Sequence, residues 1–139
     1  SPNRREWKSS NFLDYESFGR AVRLAGDRNV PVYMTLNALY TENQYALMDD
    51  MITRAKDAGV TALIVADLGM FLHLAELDTG LELHASTGAT IFNRRAARLF
   101  ARLGAKKITL PRHNTVDELC SLTQELAPIE TEVFVLNSG

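Results

Sequence analysis

The sequence predicts an α/β fold: a parallel, (β/α) barrel-like sheet of about five strands, a partial TIM barrel in a single domain of residues 1–139. Three observations lead there. Helical and strand patterns alternate along the chain. Ala62-Leu63-Ile64-Val65-Ala66 is an unalternating apolar run, suited to a strand covered on both faces. Successive strands begin roughly 20–30 residues apart, close to a one-eighth share of a roughly 250-residue barrel. An open, doubly wound sheet of about five strands is the alternative. No Gly-rich phosphate loop follows any strand, which weakens a nucleotide-binding expectation.

Residues 1–13 read as loop. Within them Arg4-Arg5-Glu6-Trp7-Lys8 places basic residues around a tryptophan, suited to stacking on a base or an extended peptide, or to an ordinary loop. Asp14 caps a helix over about Tyr15 to Arg28, with Phe18, Val22 and Ala25 on one face and Asn29 as its stop. Val30 to Asn37 is a strand, with Pro31 at its start. Thr41 and Gln44 form a capping box for a helix reaching Ala58, striped by Leu47, Met48, Met51, Ile52 and Ala55. Gly59 supplies the left-handed stop.

The strand at Ala62–Ala66 leads through Asp67-Leu68-Gly69 into a short helix ending near Leu77. A strand over 81–86 follows. Asn93 caps the next helix, striped by Ala96, Leu99, Phe100 and Leu103 and stopped by Gly104. Lys106 to Leu110 is a strand. Thr115 and Glu118 form a second capping box, and that helix runs to about Ala127, before Pro128. The last strand is expected over Thr131 to Leu136.

In parallel sheets the functional groups collect beyond the carboxyl ends of the strands. Asn37, Asp67, the group His84/Ser86/Thr87 and the pair Arg112/His113 all fall there in this register. Asp67 is a general base or cation ligand, or else the cap of the following helix. His84 is a proton shuttle or ligand, or else an inward-pointing barrel histidine held by a neighbouring hydroxyl or carboxylate. His84 and Ser86 share a strand face, but no Gly-x-Ser-x-Gly elbow surrounds Ser86. Arg112 suits a bidentate clamp on a carboxylate or phosphate, or a salt bridge to a rim acid such as Asp67. The catalytic candidates are therefore His84, Asp67 and Ser86. Asn37, Thr87, Arg112 and His113 are candidates for substrate binding. His73 reads as structural or solvent-facing.

The formal net charge of −2 gives no bulk attraction to nucleic acid or anionic membrane. No apolar run approaches the roughly 20 residues of a membrane helix. The N-terminal stretch lacks the apolar core of a signal peptide and begins without Met, as expected of a processed or excised chain. The single Cys120 precludes an internal disulfide or a multi-cysteine metal site within these residues. It falls on a helical pattern as a partly buried, inert thiol. No histidine pair has helical metal spacing, so no metal site is expected. A cytoplasmic location is expected.

Five stretches in register carry a family resemblance from about Asn11 onward. Val32-Tyr33-Met34-Thr35-Leu36-Asn37 resembles "V-Y-x-T-L-N", and Gly59 to Gly69 resembles "G-V-D-A-L-I-V-x-D-L-G". Leu83-His84-Ala85-Ser86-Thr87 matches "L-H-A-S-T", Ile108 to Arg112 resembles "V-x-L-x-R", and Glu132 to Val135 matches "E-V-F-V". All are motifs of the collagenase-like peptidase family of unassigned catalytic type. The resemblance implies a (β/α) barrel longer than this chain, of which this is a central fragment. It implies a peptidase acting on protein or peptide substrates. It implies as alternative an RNA-modifying or ubiquinone-hydroxylating protein, several of which carry a four-cysteine iron–sulfur cluster. Those ligands would lie outside this chain, because the family's "H-G-x-x-C" is replaced here by Leu136-Asn137-Ser138-Gly139. Another alternative is a non-catalytic fragment that binds partners, or itself, through open sheet edges.

Overall fold

The computed structural model describes residues 14–135. The basic loop around Trp7 and the end of the expected last strand at Leu136 lie outside them. Five helices, α1 (Tyr15–Gly26), α2 (Tyr45–Ala58), α3 (Leu68–Leu77), α4 (Arg94–Arg102) and α5 (Val116–Leu126), alternate with five strands. The strands are β1 (Tyr33–Leu36), β2 (Ala62–Val65), β3 (Glu82–Ala85), β4 (Lys107–Leu110) and β5 (Glu130–Val133). They form one parallel sheet in the order β1-β2-β3-β4-β5.

That order speaks against a doubly wound sheet. A doubly wound sheet reverses its strand order at a switch point. Here every strand pairs with its neighbour in sequence, as successive strands of a β/α barrel do. Right-handed crossovers advancing in one direction place the helices on one face. Among the described residues, β1 and β5 are the sheet's two edges.

The helix-side face is Leu36, Leu63, Val65, Leu83, Ala85, Ile108 and Leu110, all within the buried core. Phe71 of α3 and Phe100 of α4 meet edge to face above it, with ring centroids 5.0 Å apart. Fully burying a side chain the size of Phe71 contributes about 1.5–3 kcal/mol. The alternate residues point to the opposite, inner face. They are Tyr33 and Thr35 of β1, Ile64 of β2, Glu82 and His84 of β3, Lys107 and Thr109 of β4, and Glu130 and Glu132 of β5. The inner face is thus largely polar, and it carries the ionisable groups.

Local chemistry sets the boundaries. Asp14 Oδ1 accepts from Ser17 N at 2.8 Å and starts α1. The helix ends at Gly26, two residues before the expected Arg28. Thr41 and Gln44 make their capping box, but the turn they open is a 3-10 turn (Glu42–Gln44) that runs into α2. Gly59 closes α2 at φ 108°, a left-handed conformation that favours glycine. β5 begins at Glu130, one residue earlier than expected, and stops at Val133. Its register is fixed by Lys107 opposite Glu130 and Leu110 opposite Val133. Cys120 is exposed on α5, which corrects the expected partial burial.

Candidate functional site: the inner face and the carboxyl rim

The carboxyl ends of the strands bring Asn37, Asp67, Ser86, Thr87 and Arg112 to one edge of the sheet, because all five strands are parallel. Asn37 directly follows β1 and is exposed. Asp67 follows β2 by two residues and is the N-cap of α3. Its Oδ1 accepts from Met70 N at 2.8 Å, and its Oδ2 lies 3.4 Å from Tyr40 N. The carboxylate therefore ties the β1–α2 loop to the start of α3. Burial pushes the neighbouring Tyr40 phenol above its ordinary value, and the Asp67 charge adds to the shift.

Ser86 directly follows β3 and caps a short 3-10 turn (Thr87–Ala89), with its Oγ 3.4 Å from Gly88 N. The turn sits tight against β2: a Cβ at Gly88 would lie 2.9 Å from Ala66 Cβ. Ser86 is 6% exposed and Thr87 is partly exposed. Arg112 and His113 are both exposed beyond β4. No salt bridge joins Arg112 to Asp67 among the described residues, so the rim arginine is free of that acid. His113 instead faces the Phe92 ring, with centroids 6.1 Å apart.

His84 stands apart from the rim, and here the structure corrects the expected grouping. It lies inside β3, level with Thr35, Ile64 and Lys107 rather than beyond the strand end. Only 2% exposed, it directs Nε2 toward Glu82 Oε2 at 3.0 Å. The Tyr33 ring meets it edge-on at 4.9 Å. Its Nδ1 is buried with no hydrogen-bond partner. Because a carboxylate only accepts, the neutral ring carries its proton on Nε2 and leaves Nδ1 as a bare acceptor. Ser86 and His84 share a face but no hydrogen bond, so no activated serine is formed.

A second charged group lies beside this pair. Lys107 Nζ reaches Glu130 Oε1 at 2.9 Å and Glu132 Oε2 at 3.6 Å, and sits 5.6 Å from the Tyr33 ring centroid. The Glu130 hydrogen bond holds the lysine pKa above its ordinary value, against the effect of burial. Glu82, His84, Tyr33, Lys107 and Glu130 thus form one polar belt across β1, β3, β4 and β5. Sequence reasoning singled out only His84 of these. The period-2 alternation of Glu82 with His84, and of Glu130 with Glu132, was the signal available for the rest.

His73 of α3 bonds Asp49 of α2 through Nε2 at 2.8 Å and packs on Tyr45, which makes it a link between helices. No group of three or more His, Cys, Asp or Glu able to hold a metal occurs among the described residues. A four-cysteine cluster would find one thiol here, Cys120 on the outer helical layer; these residues do not fit a cluster ligand set. No described helix is long and apolar enough to cross a membrane.

Against this geometry, the model of Peptidase family U32 matches residues 3–139. The chain is 27% identical over 137 residues to a collagenase of Porphyromonas gingivalis, covering 91% of this chain and 32% of that protein. It is 27% identical over 123 residues to a tRNA hydroxylation protein P of Helicobacter pylori, covering 88% of this chain and 29% of that protein. The U32 peptidase Mk0906 superposes with a TM-score of 0.73 at 24% identity, covering 89% of this chain and 53% of that one. That likeness establishes a shared fold. The chain spans about a third of the length of these curated relatives.

Proposed function

Since this chain belongs to peptidase family U32, we propose that it forms the substrate-facing wall of a β/α enzyme that hydroxylates RNA. Relatives named for proteolysis and for tRNA hydroxylation are equally similar, so identity does not choose between them. The observation that carries the choice is the separation of Ser86 from His84. Ser86 Oγ is engaged with its own turn and His84 with Glu82, so a serine peptidase would lack both its activated nucleophile and its base. The same separation favours a positioning role for Ser86, whose hydroxyl caps the Thr87–Ala89 turn.

In this reading Glu82 fixes the tautomer of His84 and orients its ring on the inner face. Arg112 and His113 on the rim, with Asn37 and Thr87, hold the substrate's sugar and phosphate groups. The oxidant and any redox centre are supplied from outside these residues. A peptidase is the second reading, favoured by the collagenase match over 91% of the chain.

The test is nucleoside mass spectrometry of tRNA and rRNA from cells lacking the gene. A hydroxylated nucleoside is expected to disappear, to return with the wild-type gene, and to stay absent with His84→Ala. An unchanged nucleoside profile, together with gelatin cleavage by the natural-length protein that His84→Ala abolishes, would establish the peptidase instead.

A further inference from the structure

Helix α4 has a charge pattern that its role in the fold does not explain. Its sequence is Arg94-Arg95-Ala96-Ala97-Arg98-Leu99-Phe100-Ala101-Arg102. At about 100° per residue, Arg94, Arg98, Arg102 and Arg95 fall within one arc of roughly 100°. All four are exposed, while Ala97 and Phe100 on the opposite side are buried in the core. The first turn holds two arginines and no acid, against the helix dipole, which favours acids there.

The surrounding sequence sharpens this. No Asp or Glu occurs between Glu82 and Asp117, whereas seven of the fifteen Lys and Arg residues lie between Arg94 and Arg112. A chain of net charge −2 therefore concentrates its positive charge on one segment. On the α5 side the charge is partly answered. Arg98 pairs with Glu125 at 2.5 Å, and Arg94 donates to Ser121 Oγ at 2.5 Å. Arg95 and Arg102 have no acidic partner among the described residues. The stripe rises about 6 Å for each four-residue step. At its N-terminal end stand Phe92, 46% exposed, and His113 against it, next to the carboxyl rim.

We propose that the arginine face of α4 is an RNA-docking surface that binds the phosphate backbone and delivers the strand to the rim. Guanidinium groups are matched to phosphate oxygens in a way lysines are not. An acidic protein partner is the less suited occupant, because this arc has no large apolar side chain to anchor a protein interface. The Phe92–His113 pair supplies aromatic faces on which an unpaired base can stack. The identity of the partner rests on the RNA reading above, but the experiment reads binding and not turnover.

The natural-length protein is titrated with a fluorescein-labelled tRNA transcript, and separately with polyglutamate, over a salt series by fluorescence anisotropy. Arg95→Ala/Arg102→Ala is expected to weaken tRNA affinity by about tenfold and to lower the slope of log K against log salt by about 1–2. Its thermal midpoint is expected to match wild type. Arg95→Lys/Arg102→Lys is expected to keep the slope and lose part of the affinity. Unchanged affinity and slope in the alanine variant, or no tRNA binding by the wild type, overturns the proposal. So does a variant that loses polyglutamate binding while holding tRNA. Intact tRNA binding without any hydroxylated nucleoside would sink the hydroxylation reading and leave this surface standing.

Discussion

Glu82 and His84, two residues apart on β3, close onto each other on the inner face, with Oε2 3.0 Å from Nε2. The histidine side chain is 3% exposed and the glutamate 57% exposed, so the pair is a buried ring held by a solvent-facing carboxylate. Replacing Glu82 by Ala would leave both ring nitrogens of His84 without a partner. The expected cost is about 1 kcal/mol, read as a lower urea midpoint. Glu82→Gln, which keeps an acceptor, should recover most of it. An alanine variant as stable as wild type would mean that Glu82 does not hold the ring.

Asp67 offers a way to separate scaffold from chemistry. Asp67→Ala removes the acceptor for Met70 N and Tyr40 N and should cost about 1–2 kcal/mol, as loss of a helix cap does. Asp67→Asn retains a capping oxygen and should unfold almost as wild type. If the Asn variant is stable yet inactive in the nucleoside assay, the carboxylate acts on substrate. If it is stable and active, Asp67 is a cap and nothing more.

The capping box at Thr115 contributes to the acid limb of stability. Thr115 donates to Glu118 through its backbone N–H at 2.7 Å and its hydroxyl at 3.0 Å, which lowers the carboxyl pKa below its ordinary 4.5. A folded pKa below the unfolded one gives stabilisation that is present above pH 4.5 and lost as pH falls through the folded value. Glu118→Gln should therefore lower the unfolding midpoint at neutral pH. The difference from wild type should shrink on acidification below that point. A difference constant down to pH 3 would contradict the assignment.

The sheet and its helices were legible because their signals are local. The apolar run Ala62–Ala66 and the capping boxes at Thr41 and Thr115 each point to one outcome. The strand order was legible only in part: strand spacing favoured a barrel-like order but left the doubly wound sheet open. Periodicity shows that strands exist, while neighbourhood depends on crossovers and packing. At the site, alternation told that His84 and Ser86 share a face. It did not tell that the ring turns back to Glu82, since that is a rotamer choice made by the surroundings. The belt of Lys107 with Glu130 and Glu132 joins residues over 20 positions apart, beyond any short-range pattern. Cys120 falls between Leu119 and Leu122 on α5 but is exposed, so the helical stripe passes beside it.

The strict order β1-β2-β3-β4-β5 also bears on how the molecule is made. Each strand's partner on the N-terminal side is already synthesised when the strand leaves the ribosome. Successive strands start 20–29 residues apart. At roughly 5–20 residues per second, one unit takes seconds to emerge, long compared with the microseconds in which a helix forms. Short-range pairing of this kind keeps loop-closure costs low. The nascent sheet can therefore grow by accretion, one unit docking on the last, so that only one of its two edges changes at each step.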